Sequence, residues 1–133
     1  YWPDPPPDHA AATTLVTEGV FSAGLRRYPA EGDAWKADWV CYYFINDSAP
    51  PSFVVDVADH YDVKRRALAC HVTQFTPSGA DAVSTRLTSS RFQQLIESRD
   101  AQFGALAGVA FAEGFVVKQP VVRPHLLSEW NAR

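Results

Sequence analysis

Methionine is absent from all 133 residues, cysteine occurs only twice and glycine only seven times. Each shortage excludes something. Cys41 and Cys70 are too few for a disulfide scaffold and do not have the paired spacing of a zinc finger, so a reducing cytoplasm is the expected setting. Basic residues are also short, 12 against 15 acidic ones for a net charge of −3. With no basic surface to release phosphate counterions, a general nucleic-acid binder is not expected. No apolar run approaches the roughly 20 residues of a membrane-spanning helix, and no basic-then-apolar leader pattern opens the sequence. No membrane partner is therefore expected. A chain without methionine, opening on Tyr1, is expected not to start at its natural translation start.

The residues that are present describe a mixed α and β chain. Apolar residues make up 47% and charged residues 20%, as in an ordinary folded domain. Four of the ten prolines fall within the first seven residues, so the opening predicts a stiff loop feeding a helix. From Asp8, Ala12, Leu15, Val16, Val20 and Ala23 recur at helical spacing, with Gly24 placed to end the helix. The run Trp39 to Ile45 predicts a buried strand, and Phe53 to Val57 a second one. A helix is predicted from about Asp59 to Phe75, with Tyr61, Leu68 and Val72 inward and Lys64, Arg65 and Arg66 in water. Another begins near Ser89 with Phe92, Ile96 and Phe103 as its apolar stripe. Gly104 and Gly108 mark close packing or weak points, and the segment from Phe111 to Val122 is β-rich, divided by Gly114 and Pro120.

The chemistry-bearing motifs are sparse. G-x-S-x-G, G-x-G-x-x-G and the phosphate-binding G-x-x-x-x-G-K-[ST] are all missing. Ser84 to Ser90 reads as a loop ending in a helix cap, and the four tryptophans as packing residues. Among the histidines, His60 reads as a solvated helix end, His71 as a packing residue, and His125 has no partner pattern. His9 differs, because it follows Asp8 where a rigid loop meets a helix. An imidazole held there can ligate a metal, but a catalytic zinc needs about three protein ligands and an open position.

Asp4-Pro5-Pro6-Pro7-Asp8-His9, then Leu15 to Tyr28, resembles the second conserved block of the LmbE/PIG-L deacetylases, in particular the bacillithiol-biosynthesis branch. Further matching stretches follow in order: Tyr42 to Ile45, Val55 to Val57, Lys64 to Leu68, Gln74-Phe75, Arg99, Phe103-Gly104, Gly108-Val109, Phe111 to Phe115, and Pro120. The resemblance implies a Rossmann-like α/β fold of which residues 1–133 are the C-terminal portion, the motif-bearing N-terminal half being absent. It implies a mononuclear Zn2+ that hydrolyses the N-acetyl group of an N-acetylglucosaminyl conjugate of the malate type. It also implies a homo-oligomer.

Under that resemblance His9 is a zinc ligand, as the last His of an H-P-D-H motif, and Asp8 is the catalytic aspartate that orients the motif's first His. The other ligands and the general base belong to an AHPDDE-type motif that this sequence does not contain. The family's arginine and first histidine stand at Pro5 and Pro6, and a tyrosine some members place over the site falls at Phe92. Proline neither donates to an oxyanion nor shuttles a proton. A truncated or degenerate non-catalytic relative, acting as a structural or interaction module, is therefore the alternative expectation.

Overall fold

The computed structural model describes residues 6–75 and 85–122. Among them the chain is mixed α/β, with four α-helices, a short 3-10 turn and a three-stranded antiparallel sheet. Helix α1 spans Pro7–Ala23, strand β1 Tyr42–Tyr43 and strand β2 Phe53–Asp56. The 3-10 turn Ala58–His60 leads into α2, Tyr61–Ala69, and α3, Val72–Phe75. Helix α4, Ser90–Ala107, precedes strand β3, Ala112–Val116. The sheet order is β1-β3-β2, so the last strand in sequence lies between the first two. Tyr43 and Phe53 both face Phe115 across the ladders, and Asp56 faces Ala112.

The core sits between α4 and one face of this sheet. Phe44, Phe103, Ala112 and Val116 form it, with Ala49, Val54 and Val109 packed against it. Gly114 belongs to the middle of β3 rather than dividing it, contrary to the sequence reading. A Cβ there would lie 2.5 Å from the Phe103 ring, so the missing side chain is what admits the aromatic. Gly104 plays the matching part on α4, because a Cβ would meet the Val109 and Ala110 carbonyl oxygens at 2.7 Å. Gly108 ends α4 at φ 76°, a left-handed cap that favours glycine.

Several other expectations need correcting. The predicted strand from Trp39 shrinks to β1, with Tyr42 and Phe44 buried but Tyr43 exposed, so it is one-sided rather than fully buried. The predicted helix from Asp59 breaks between α2 and α3 at Cys70 and His71; Val72 and His71 are exposed. Lys64 points inward, not into water. The apolar stripe of α1 is not inward either: Leu15 and Val16 are 73% and 53% exposed. Phe92, Ile96 and Phe103 on α4 are buried, as their spacing predicts. No helix among the described residues is long and apolar enough to cross a membrane.

Candidate functional site

His9 enters the structure from the loop that the prolines stiffen. Pro6 is the N-cap of α1, extended at φ −62° and ψ 129°, and Pro7 occupies the first turn, where no backbone donor is needed. Asp8 lies in the same turn, exposed, where a negative charge suits the helix N-terminus. His9, half-buried, comes within 3.4 Å of the Asn46 side-chain nitrogen through Nδ1. The amide nitrogen donates and Nδ1 of the ring accepts. Asn46 carries no signal in the sequence, because the contact joins residues 37 apart in the chain.

The groove beside His9 has a volume of about 390 Å³ and runs between α1 and the β1 segment, touching Ala12, Val16, Cys41 and Tyr43. Helix α1 is fixed there by Thr17, whose hydroxyl lies 2.9 Å from the Tyr42 hydroxyl, and by the Trp35 amide, which donates to the Ala23 carbonyl at 2.8 Å. Among the described residues no three His, Cys, Asp or Glu side chains converge as a metal site. His9 is one donor and no set of three gathers around it among the described residues, so these do not by themselves fit a zinc ion. Pro5 and His125 lie outside the described residues. Phe92 is buried on α4, against Phe75 at 6.0 Å between ring centroids.

A second constellation escaped the sequence reading. Lys64 lies 2.7 Å from Asp100 and 2.6 Å from Glu113, joining α2, α4 and β3 at one point. Asp100, 1% exposed, also accepts from the Tyr61 hydroxyl at 3.1 Å and from Arg99 Nε at 3.4 Å. Arg99 reaches onward to the Ile45 carbonyl at 3.0 Å. Burial, then the charge of Asp100 and its hydrogen bond, pushes the Tyr61 hydroxyl well above the usual phenol range. Lys64, Arg99, Asp100 and Glu113 line a cavity of about 250 Å³ together with Tyr43, Phe75, Phe92 and Phe115. A signal for it existed: positions 99 and 100 continue the three- and four-residue steps of the Phe92, Ile96, Phe103 stripe, so polar residues fall on the inward face. Two cations on two anions compensate each other, and this arrangement braces the elements that carry it.

The sequence matches no family model. The backbone is similar to the crystal structure of the conserved protein TT1542 from Thermus thermophilus, with a TM-score of 0.76 and 28% identity over 90% of this chain. The match covers 49% of that protein, so this chain spans about half its length.

Proposed function

We propose that this chain is the C-terminal portion of a zinc-dependent deacetylase of the LmbE/PIG-L type, acting on the N-acetyl group of an N-acetylglucosaminyl conjugate. The observation that carries the reading is His9: one half-buried imidazole, oriented by Asn46 and facing a groove, at the position where the resembling motif has its last metal-binding histidine. The likeness to about half of TT1542 supports a chain that belongs to a larger fold. In this reading the described residues supply one ligand, and the remaining ligands and the general base come from the half that this chain does not span.

The gene product, including whatever the gene encodes before Tyr1, tests this directly. Its upstream sequence is expected to hold a strand ending in a His-Pro-Asp-Asp-Glu-like motif. Incubated with N-acetylglucosaminyl malate, it is expected to release acetate and a free amine, and His9→Ala to lower both zinc content and turnover. An unrelated upstream sequence, or a gene product that binds zinc and releases no amine, overturns the reading.

The second reading, a degenerate non-catalytic relative, is favoured by Pro6. The N-cap position carries no side-chain hydrogen bond and no group able to transfer a proton. Losing one oxyanion-stabilising donor costs about 10²–10³ in rate. Turnover by the unaltered gene product would exclude this reading. Turnover only after Pro5→Arg and Pro6→His would establish it.

A further inference from the structure

We infer that Arg99 is a positioning residue for the His9 site: its guanidinium grips the backbone on both sides of Asn46 and so sets the amide that meets the imidazole. Residues 45–47 lie beyond the end of β1, and their three successive carbonyls all accept from arginine side chains. Arg99 Nη1 donates to the Ile45 carbonyl at 3.0 Å and to the Asp47 carbonyl at 3.5 Å. Arg86 donates to the Asn46 carbonyl between them at 3.3 Å. From this clamped backbone the Asn46 side chain meets His9 Nδ1 at 3.4 Å.

The residue type suits the task. Arg99 is only 8% exposed, and a charge buried to that extent needs a partner. Asp100 supplies it at Nε and is itself held by Lys64 and Tyr61. The planar fork is thereby fixed from behind, with donors left over for the two carbonyls. A lysine at this position would keep the charge and lose the fork. The buried cluster thus does more than join α2, α4 and β3: through Arg99 it reaches the residues that orient His9. The inference deepens the proposed function and rests on it only in taking His9 as a working imidazole; no metal enters the argument.

The experiment follows carbethoxylation of His9 by diethyl pyrocarbonate in the intact gene product, in EDTA, with the exposed His60 and His71 as internal references. Reaction takes place at an imidazole lone pair. Asn46→Ala removes the donor to Nδ1 and is expected to speed modification of His9 by about 2–10-fold, the range for one hydrogen bond. Arg99→Lys is expected to speed it to the same extent, and the two together no more than either alone. Arg99→Gln, a second variant that keeps one planar donor without the charge, is expected to fall between. Phe103→Leu weakens the core from the same helix and is expected to leave His9 unchanged, which separates positioning from lost stability. Arg99 variants that leave the His9 rate unaltered overturn the inference, as do effects that multiply in the double variant or a Phe103→Leu rate that rises equally. Coupling without deacetylation would remove only the proposed chemistry, and deacetylation without coupling only the role of Arg99.

Discussion

The ammonium group of Lys64 lies 2.7 Å from the carboxylate of Asp100, a side chain with 1% of its surface exposed, and this contact ties α2 to α4. Glu113 reaches the same ammonium from β3, and Tyr61 and Arg99 complete the surroundings of Asp100. Elements α2, α4 and β3 therefore meet on one ammonium group.

Removing that carboxylate leaves two cations without their deepest partner. Asp100→Ala is expected to destabilise the fold by about 3–5 kcal/mol, the range for breaking a buried ion pair from one side. Asp100→Asn keeps the shape and an acceptor, so it is expected to cost less. Urea denaturation of the two variants checks the order, and equal midpoints to the unaltered protein would show that the cluster braces nothing.

Tyr61 gives the cluster a pH signature. Its hydroxyl is held protonated in the folded state by burial and by Asp100, whereas in the unfolded chain it ionises near its ordinary value of 10.0. A raised folded-state pKa means stability that is complete below about pH 10 and is lost as pH rises beyond it, because only the unfolded chain releases the proton. Tyr61→Phe is expected to lower stability at neutral pH and to flatten its decline above pH 10. Thermal unfolding midpoints measured between pH 8 and 11 would show the two slopes, and parallel slopes would contradict the assignment.

Periodicity made much of the fold legible and hid the rest for identifiable reasons. Phe92, Ile96 and Phe103 announced the buried side of α4 because one helix carries the whole pattern. Lys64 looked solvated because it heads the run Lys64-Arg65-Arg66, and its partners lie 36 and 49 residues away. Arg65 does stay half exposed, pairing with Glu97 at the surface. The stripe on α1 is apolar, but spacing gives a face and not the direction it points. His9 was singled out from its neighbours in the chain; Asn46, which orients it, could be found only from the fold.

Close approach of backbones gives the third prediction. Gly104 has no room for a methyl group, since the Val109 and Ala110 carbonyl oxygens would stand 2.7 Å away and neither belongs to a flexible side chain. The Val109 amide donates to the Gly104 carbonyl at 2.9 Å, which pins the turn against the helix. Gly104→Ala is thus expected to destabilise by about 1–3 kcal/mol despite alanine's better helix propensity. At Gly19, where nothing lies within 4 Å, the same substitution is expected to stabilise by up to about 1 kcal/mol. Denaturation midpoints that shift in the same direction for both would refute this contrast.

The fourth prediction separates the two residues of the candidate site. In the proposed function Asp8 orients an imidazole at the position occupied here by Pro6, so as the chain stands it has no ring to orient. Its remaining contribution is electrostatic, a negative charge in the first turn of α1, worth about 0.3–1 kcal/mol. Asp8→Asn in the otherwise unaltered gene product is therefore expected to cost a little stability and leave kcat/KM for deacetylation unchanged, while His9→Ala abolishes it. Introducing Pro6→His supplies the ring. In that background kcat is expected to rise, by up to about 10²–10³ if the ring serves the oxyanion. Adding Asp8→Asn should then remove most of the gain. The coupling between positions 6 and 8 is the measurement that decides. Effects that simply add would show that Asp8 serves the helix and not the reaction.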